Sequence, residues 1–494
     1  MGPGPQIVSY FYFDKNKIYA IIFRVSKLFL RGGYFMEEAY SNKKDKKSIR
    51  ETVLKTAWPV LIEVFLGNLF GMVDMMMLGR IADSGEAAAS IAAVGVTNQV
   101  VFIALSLVQS LNVGATAMVA RYVGAKREDR IESVVRHVII LTQILLVLPI
   151  FILGLKYTEQ IMGFLGAHED TLMYGKNYFK VIIIGLIFQA FNFSIYAVLR
   201  GSGDTKTPMN INLKVNSLNV IGNAVLIYGL LGFPKLGVTG AAISTSMSQL
   251  VASIMLIRHI VKGNTIININ LKNRFKFDKD IMYNLIHIGI PAALEQIAFR
   301  VGILIFVRLV SSLGTVAFAT HQICLNILSL SFTPGQAFGI AASSLTGRSL
   351  GANDSDLAEE YIKTCRRIGA IIAGSVGVVF FFFGSYIASL YTKNPEVIKE
   401  ASKILKIMAF VQPFQCSQLI TAGGLRGAGD TVWTLVAIFF SVLVFRLVLA
   451  YLFIKVLNLG LIGAWYAMFS DQLVRWALIK IRFKTNKWKY INIR

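Results

Sequence analysis

The stretch VLKTAWPVLIEVFLGNLFGMVDMMMLGR, residues 53–80, decides how the chain is read. It runs for about 25 residues with few charges, long enough to cross a bilayer as a helix. Pro59 lies near its start, and two carboxylates, Glu63 and Asp74, lie inside it. Their spacing is about three helical turns, so both project from nearly the same face. A carboxylate at membrane depth costs about 2.5–3.5 kcal/mol on insertion scales. Two readings of such an acid stand side by side: a structural group hydrogen-bonded to a neighbouring helix, or an ion or proton site on a transport path.

The rest of the chain supports a membrane setting. It has 494 residues, 55% of them hydrophobic, and a mean hydropathy of +0.60. Charged residues make up 16%, well below the roughly 25% of soluble domains. Apolar runs recur along the whole length and do not alternate, which argues for helices and against a β-barrel. The net charge of +23 reads as basic loops and termini facing anionic lipid, with no nucleic acid as partner. Cys324, Cys365 and Cys416 show neither metal-ligand spacing nor a disulfide framework. No Gly-x-x-x-x-Gly-Lys-Ser/Thr phosphate loop occurs, so ATP hydrolysis is not expected. No nucleophile–base spacing points to an enzyme, and no cofactor beyond a coupling ion is called for.

Residues 1–52 read as a cytoplasmic leader. Within it, residues 1–35 carry a basic, partly apolar stretch from Lys15 to Arg31. That stretch suits an amphipathic segment on the cytoplasmic leaflet; the preferred reading is a mis-assigned start, with translation beginning at Met36. After the helix in 53–80, eleven more spans are predicted, at 91–120, 134–156, 173–199, 208–230, 238–261, 282–309, 317–346, 366–390, 400–425, 431–455 and 461–482. Basic residues gather in alternate loops: Arg121, Lys126, Arg127, Arg130 and Arg136 after the second helix, and Arg258 to Lys279 after the sixth. The tail adds Arg482, Lys484, Lys487 and Lys489, whereas the loop Thr158 to Thr171 on the other side is poor in them. By the positive-inside rule both termini are cytoplasmic.

The chain repeats itself. Leu199-Arg-Gly-Ser-Gly-Asp-Thr205 returns as Leu425-Arg-Gly-Ala-Gly-Asp-Thr431, 226 residues on. Arg121-Tyr-Val-Gly-Ala125 returns as Arg348-Ser-Leu-Gly-Ala352, Leu236-Gly-Val-Thr-Gly-Ala241 as Leu459-Gly-Leu-Ile-Gly-Ala464, and Pro59-x-x-x-Glu63 as Pro291-x-x-x-Glu295. Six helices per half is an even number, so both halves enter the membrane in the same direction. The expected fold is an all-α polytopic membrane protein, twelve transmembrane helices in two parallel six-helix repeats around a central cavity. The lobes span 53–261 and 281–482, joined by a cytoplasmic linker at 262–280 and followed by a basic tail at 483–494. In the repeated turns the glycines permit a tight connection. Asp204 and Asp430 are expected to cap the helices that follow, and Arg200 and Arg426 to sit on the negative poles of the helices they end.

The two six-helix halves, the repeated Leu-Arg-Gly-x-Gly-Asp-Thr turns and the stretch Met72-Val-Asp74 through Leu78-Gly79 resemble the MATE (multidrug and toxic compound extrusion) transporters of prokaryotic type, over roughly Lys47 to Arg482. The resemblance implies a secondary antiporter of the plasma or inner membrane, acting as a monomer. It would export organic cations and other amphipathic drugs against an inward flow of H⁺ or Na⁺. It also implies an ion site at Asp74, with Asn219 and Asn223 from the fifth helix and Thr245 from the sixth. Any metal would be a Na⁺ at Asp74. Where other members carry a second carboxylate this chain has Asn223, and where some branches carry a glutamate eight residues after the seventh-helix proline it has Phe299.

The residues themselves agree in part. Asn216, Asn219 and Asn223 share one helix face, and amides in hydrocarbon must face protein or water. Glu295, Gln322 and Glu63 are the candidate contacts to a cationic substrate. Glu295 and Asp471 are also candidates for a buried network with Arg300, Arg308 and Arg446. Five methionines, Met72, Met75, Met76, Met77 and Met118, suit packing or an adaptable cavity wall. His321 reads as a packed polar residue. Those three arginines keep a second function open, a flippase for a lipid-linked or other anionic amphipath.

Overall fold

The computed structural model describes residues 46–79, 84–263, 275–491 and 493, with side chains in the second helix described from residue 89 onward. The expectations for residues 1–45 and for most of the linker lie outside the described residues. The described residues form twelve long helices and no strand. In chain order they are α1 (Lys46–Leu78), α2 (Ser84–Gly124), α3 (Asp129–Lys156), α4 (Glu169–Ser202), α5 (Lys206–Tyr228), α6 (Gly237–Val261), α7 (Lys279–Ser311), α8 (Thr315–Gly351), α9 (Ser355–Ser389), α10 (Pro395–Gly427), α11 (Thr431–Val456) and α12 (Gly460–Lys484). Every span read from the sequence falls on one of them. Nine are long and apolar enough to cross a membrane by composition alone. The other three, α5, α10 and α12, carry some of the polar groups described below, among them Asn219, Asn223, Arg426 and Asp471.

Local sequence explains the ends and interruptions. Asp278 caps α7 by accepting from the amides of Asp280 (3.0 Å) and Ile281 (3.2 Å). Asn394 and Asp354 do the same for α10 and α9. Pro149 has no N–H, and a π-helical turn, Leu141–Val147, precedes it in α3. Pro334 follows a break in α8 between Ser331 and Thr333. The repeated Leu-Arg-Gly-x-Gly-Asp turns adopt the same geometry in both halves. Gly203 (φ 94°) and Gly429 (φ 90°) take the left-handed conformation. The amides of Asp204 and Asp430 return to the carbonyls of Leu199 (2.9 Å) and Leu425 (2.8 Å), closing a Schellman motif. Asp204 then accepts from the Thr207 amide at 3.0 Å, as a capping residue should. Asp430 departs from that expectation: it makes no cap and instead accepts from Arg482 Nε at 2.7 Å.

The first helix of each half begins in the opposite half. Val53 and Ala57 of α1 pack with Phe338, Ala342, Cys365 and Ile420 of α8, α9 and α10. Leu78, at the other end of α1, packs with Val94, Tyr178 and Ile227 of its own lobe. Likewise Ile281 and Leu285 of α7 join the core of the N-terminal lobe, while Phe306 and Val310 join that of the C-terminal lobe.

The lobes meet at the ends of α2 and α8. A side chain at Gly124 would collide with the Arg348 carbonyl, and one at Gly351 with that of Arg121. Only glycine lets these backbones come so close. Arg121 then donates across to the carbonyls of Ala428 (3.3 Å) and Ile491 (2.9 Å), and the Arg348 guanidinium lies against Gly203. Each repeated arginine thus touches the repeated turn of the other lobe. The C-terminal tail closes over the same seam. Trp488 is fully buried, Lys489 pairs with Glu359 at 2.5 Å, and Ile493 packs on the N-lobe core.

Candidate functional site

Asp74 lies in the last third of α1, half-buried, facing α5 and α6. Asn223 Nδ2 donates to Asp74 Oδ1 at 2.8 Å, and the Asn223 oxygen, buried, has no hydrogen-bond partner among the described residues. Asn219 lies one turn away along α5. With its amide nitrogen turned to the carboxylate, it donates to Asp74 Oδ2 over 3.1 Å, while its oxygen accepts from Thr245 Oγ1 over 3.2 Å. Turned the other way, two oxygens face each other across the same gap, which is tolerable only with a proton or a metal ion between them. The Ser244 hydroxyl donates to the Asn219 carbonyl at 2.9 Å and fixes α5 against α6. The four residues assigned to the ion site from the sequence are therefore together. Their oxygens are the donor type that hard cations take. Among the described residues no group of three or more His, Cys, Asp or Glu forms a metal cluster.

The other deep carboxylates are placed differently. Glu63 accepts from Arg200 Nη2 at 2.6 Å and from Asn212 Nδ2 at 2.5 Å. Glu295 pairs with Arg426 and accepts from Thr434 Oγ1 at 2.6 Å. These are the same construction twice: the glutamate of the repeated Pro-x-x-x-Glu meets the arginine of the repeated Leu-Arg-Gly turn in each lobe. The arginines leave the ends of their helices and reach a carboxylate, which corrects their reading as dipole caps. Glu63 and Glu295, set down as substrate contacts, are each engaged by a guanidinium.

The expected Glu295/Asp471 network with Arg300, Arg308 and Arg446 is also redrawn. Asp471 takes Arg446 on Oδ2 (Nε at 3.0 Å) and Arg475 on Oδ1 at 2.7 Å. Arg300 instead reaches Ser106 Oγ on α2 at 3.0 Å, and Arg308 is exposed. A cavity of about 30 Å³ separates the Glu295–Arg426 pair from Arg475. Gln322 is half-buried on the first segment of α8. His321 beside it is fully buried against Phe306 and Trp465, as a packed residue. Met72, Met75 and Met76 are exposed, whereas Met118 is a core residue.

Sequence reasoning missed Arg475, Asn212 and Thr434, and the role of Arg200 and Arg426. The signal for the last two was the repeat: two motifs that recur together at the same spacing fit a contact made twice.

Removing one partner from a buried pair leaves the other charge stranded, at a cost of about 3–5 kcal/mol. Glu295→Ala is therefore expected to lower thermal stability markedly, and adding Arg426→Met to recover part of the loss. An unchanged melting temperature for the single variant would show that the pair holds nothing together.

A family model, MatE, matches the chain twice, over residues 59–225 and 291–452. The chain is 29% identical to the probable multidrug resistance protein NorM of Thermotoga maritima, over 92% of this chain and 97% of that one. It is 30% identical to the uncharacterized transporter YisQ of Bacillus subtilis, over 88% and 94%. A solved structure described as the outward-facing conformation of a multidrug resistance MATE family transporter superposes with a TM-score of 0.81 at 23% identity, covering 89% of this chain and 97% of that one. The two family matches fall one on each lobe, and the chain with its twelve helices belongs to the MATE family of multidrug efflux transporters.

Proposed function

We propose that the chain is a secondary active antiporter of the cell membrane, exporting organic cations and other small amphipathic molecules in exchange for H⁺ or Na⁺, with Asp74 as the ion site. One observation carries this reading. Among the described residues, Glu63, Glu295 and Asp471 each meet an arginine, while Asp74, also within the apolar stretch of a long helix, meets only amides. A charge in that position needs a partner, and a partner that comes and goes is what an antiporter requires. The driving ion has to bind one conformation better than the other, or nothing is coupled. Neutralising Asp74 changes what α5 and α6 can hold against α1, because both amides that face it belong to α5 and one of them, Asn219, leans on Ser244 and Thr245 of α6. The similarity to probable multidrug resistance proteins supports the substrate class. The chain is expected to work as a monomer in a lipid bilayer. The ties of Glu63 and Glu295 to arginine favour a structural role for both, with substrate contact made elsewhere in the cavity.

The flippase alternative calls for a cationic cavity. Arg446 is buried against Asp471 while Arg300 and Arg308 are exposed, so the three arginines do not share one enclosed site, and the antiporter is the better-supported reading.

Asp74→Asn keeps the shape of the site, and its hydrogen bonds too once the Asn219 amide turns its oxygen toward it, but removes its charge. The expected outcome is loss of gradient-driven dye efflux from vesicles, with the melting temperature little changed. Near-normal coupled efflux would return Asp74 to a structural role.

The basic loops support a cytoplasmic location for both termini. Cysteines substituted at the exposed positions Lys276 and Phe164 are expected to react with an impermeant maleimide from opposite faces, Lys276 from the cytoplasmic one. Labelling from one face would sink the topology.

A further inference from the structure

The repeat lets the lobes be compared position by position, and at the ion site they differ in kind. Phe306 stands where the N-lobe has Asp74, each 15 residues after the repeated proline. Arg446 stands where the N-lobe has Asn219, 227 residues on. That is one more than the spacing of the repeated turns, and α11 contains the π-helical segment Phe439–Arg446, which inserts a residue where α5 is regular. The correspondence is spatial as well as numerical. The Arg446 guanidinium lies over the Phe306 ring, 5.5 Å from its centroid. So the contact between Asn219 and Asp74 in one lobe is replaced in the other by a guanidinium over an aromatic face, an attractive arrangement for a cation.

The surroundings complete the exchange. Thr245 of α6 is matched by Met468 of α12, and the carboxylate that neutralises Arg446 comes from Asp471, one turn further along that helix. Arg446 is 3% exposed and Asp471 fully buried. Both Asp471 oxygens are taken, one by Arg446 and one by Arg475, whose Nε also donates to Ser441 at 3.1 Å. The triad carries one positive charge in excess. The nearby Glu295–Arg426 pair is neutral as a unit, and His321 packs between Phe306 and Trp465. An arriving cation would find no open carboxylate oxygen and would meet net repulsion. A guanidinium does not lose its proton in proteins, and it cannot diffuse away.

We propose that Arg446 is a tethered cation holding the place that an exchangeable one takes in the N-lobe, so that each chain binds a single coupling ion. This rests on Asp74 being the exchangeable site. The C-lobe has the geometry of an ion site in the occupied state and keeps it through the cycle, while the N-lobe alternates.

The test is a count of ions bound per purified chain in nanodiscs, by equilibrium binding of radioactive Na⁺ and by proton uptake in unbuffered solution. Wild type is expected to bind one in total, a measurement that needs no variant to fold. Asp74→Asn is expected to bind none, and the triad replacement Arg446→Met/Asp471→Leu/Arg475→Met still one, since a buried ionic cluster can be exchanged for apolar residues of similar volume. Two ions per wild-type chain, or binding that survives Asp74→Asn and is lost with the triad, would overturn the proposal. A single ion retained by both variants would leave the C-lobe locked as proposed and refute the assignment to Asp74 instead.

Discussion

Charge inside hydrocarbon has to be matched within the protein, because no water is there to do it. That constraint accounts for the placement of the deep ionic groups described above. Glu63 is tied to Arg200, Glu295 to Arg426, and Asp471 to two arginines. Two of these ties join helices distant in sequence, α1 to α4 and α7 to α10, whereas Arg446 ties α11 to the next helix, α12, and Arg475 meets Asp471 within α12. These pairs are weak evidence for net stability, since desolvation offsets much of the Coulombic gain, but an unmatched member would be costly, so each pair selects one register of its helices. Asp74 is the exception among these carboxylates, and the proposed ion site rests on that exception.

The duplicated architecture sets where movement can occur. α1 and α7 each start in one lobe and end in the other, so a rotation of one lobe against the other must bend or tilt them. Asp74 lies in the part of α1 that rejoins its own lobe, above the crossing. The lobes are in backbone contact at Gly124 and Gly351, and the arginines Arg121 and Arg348 hold the opposite turns. All of these groups lie at the end bearing the basic loops, so the form described here is closed on the side assigned to the cytoplasm. Opening that side has to separate them, and the tail with them. On the proposed antiport mechanism, the energy for the change comes from a difference in ion affinity between the two forms.

Much of the fold was legible in the sequence because hydropathy and repetition both report on the membrane. The twelve spans, the two halves and the clustering of Asp74 with Asn219, Asn223 and Thr245 followed from helix length, from motifs that recur and from family resemblance. The partners of the long charged side chains were not legible. Arg200 and Arg426 end their helices, so a dipole role was the local expectation, but an arginine side chain spans several ångströms and the tertiary carboxylate won. Asp430 looked like a cap by analogy with Asp204, yet Arg482 from α12 outcompeted the local amides. Arg475 is one turn beyond Asp471 and could have been paired with it from spacing alone. Pro149 marks the π-helical segment of α3, whereas that of α11 has no sequence signature apart from the one-residue slip in the repeat spacing at Arg446.

The central claim is that one deep carboxylate changes state and the others do not. Infrared difference spectroscopy on the protein in lipid, recorded on adding Na⁺ or on lowering pH, reads carboxyl groups directly. The account requires a single carboxyl band that responds to the ion and disappears in Asp74→Asn, with no contribution from Glu63, Glu295 or Asp471. A response that persists in Asp74→Asn, and is removed instead by replacing one of the arginine-bound carboxylates, would contradict it.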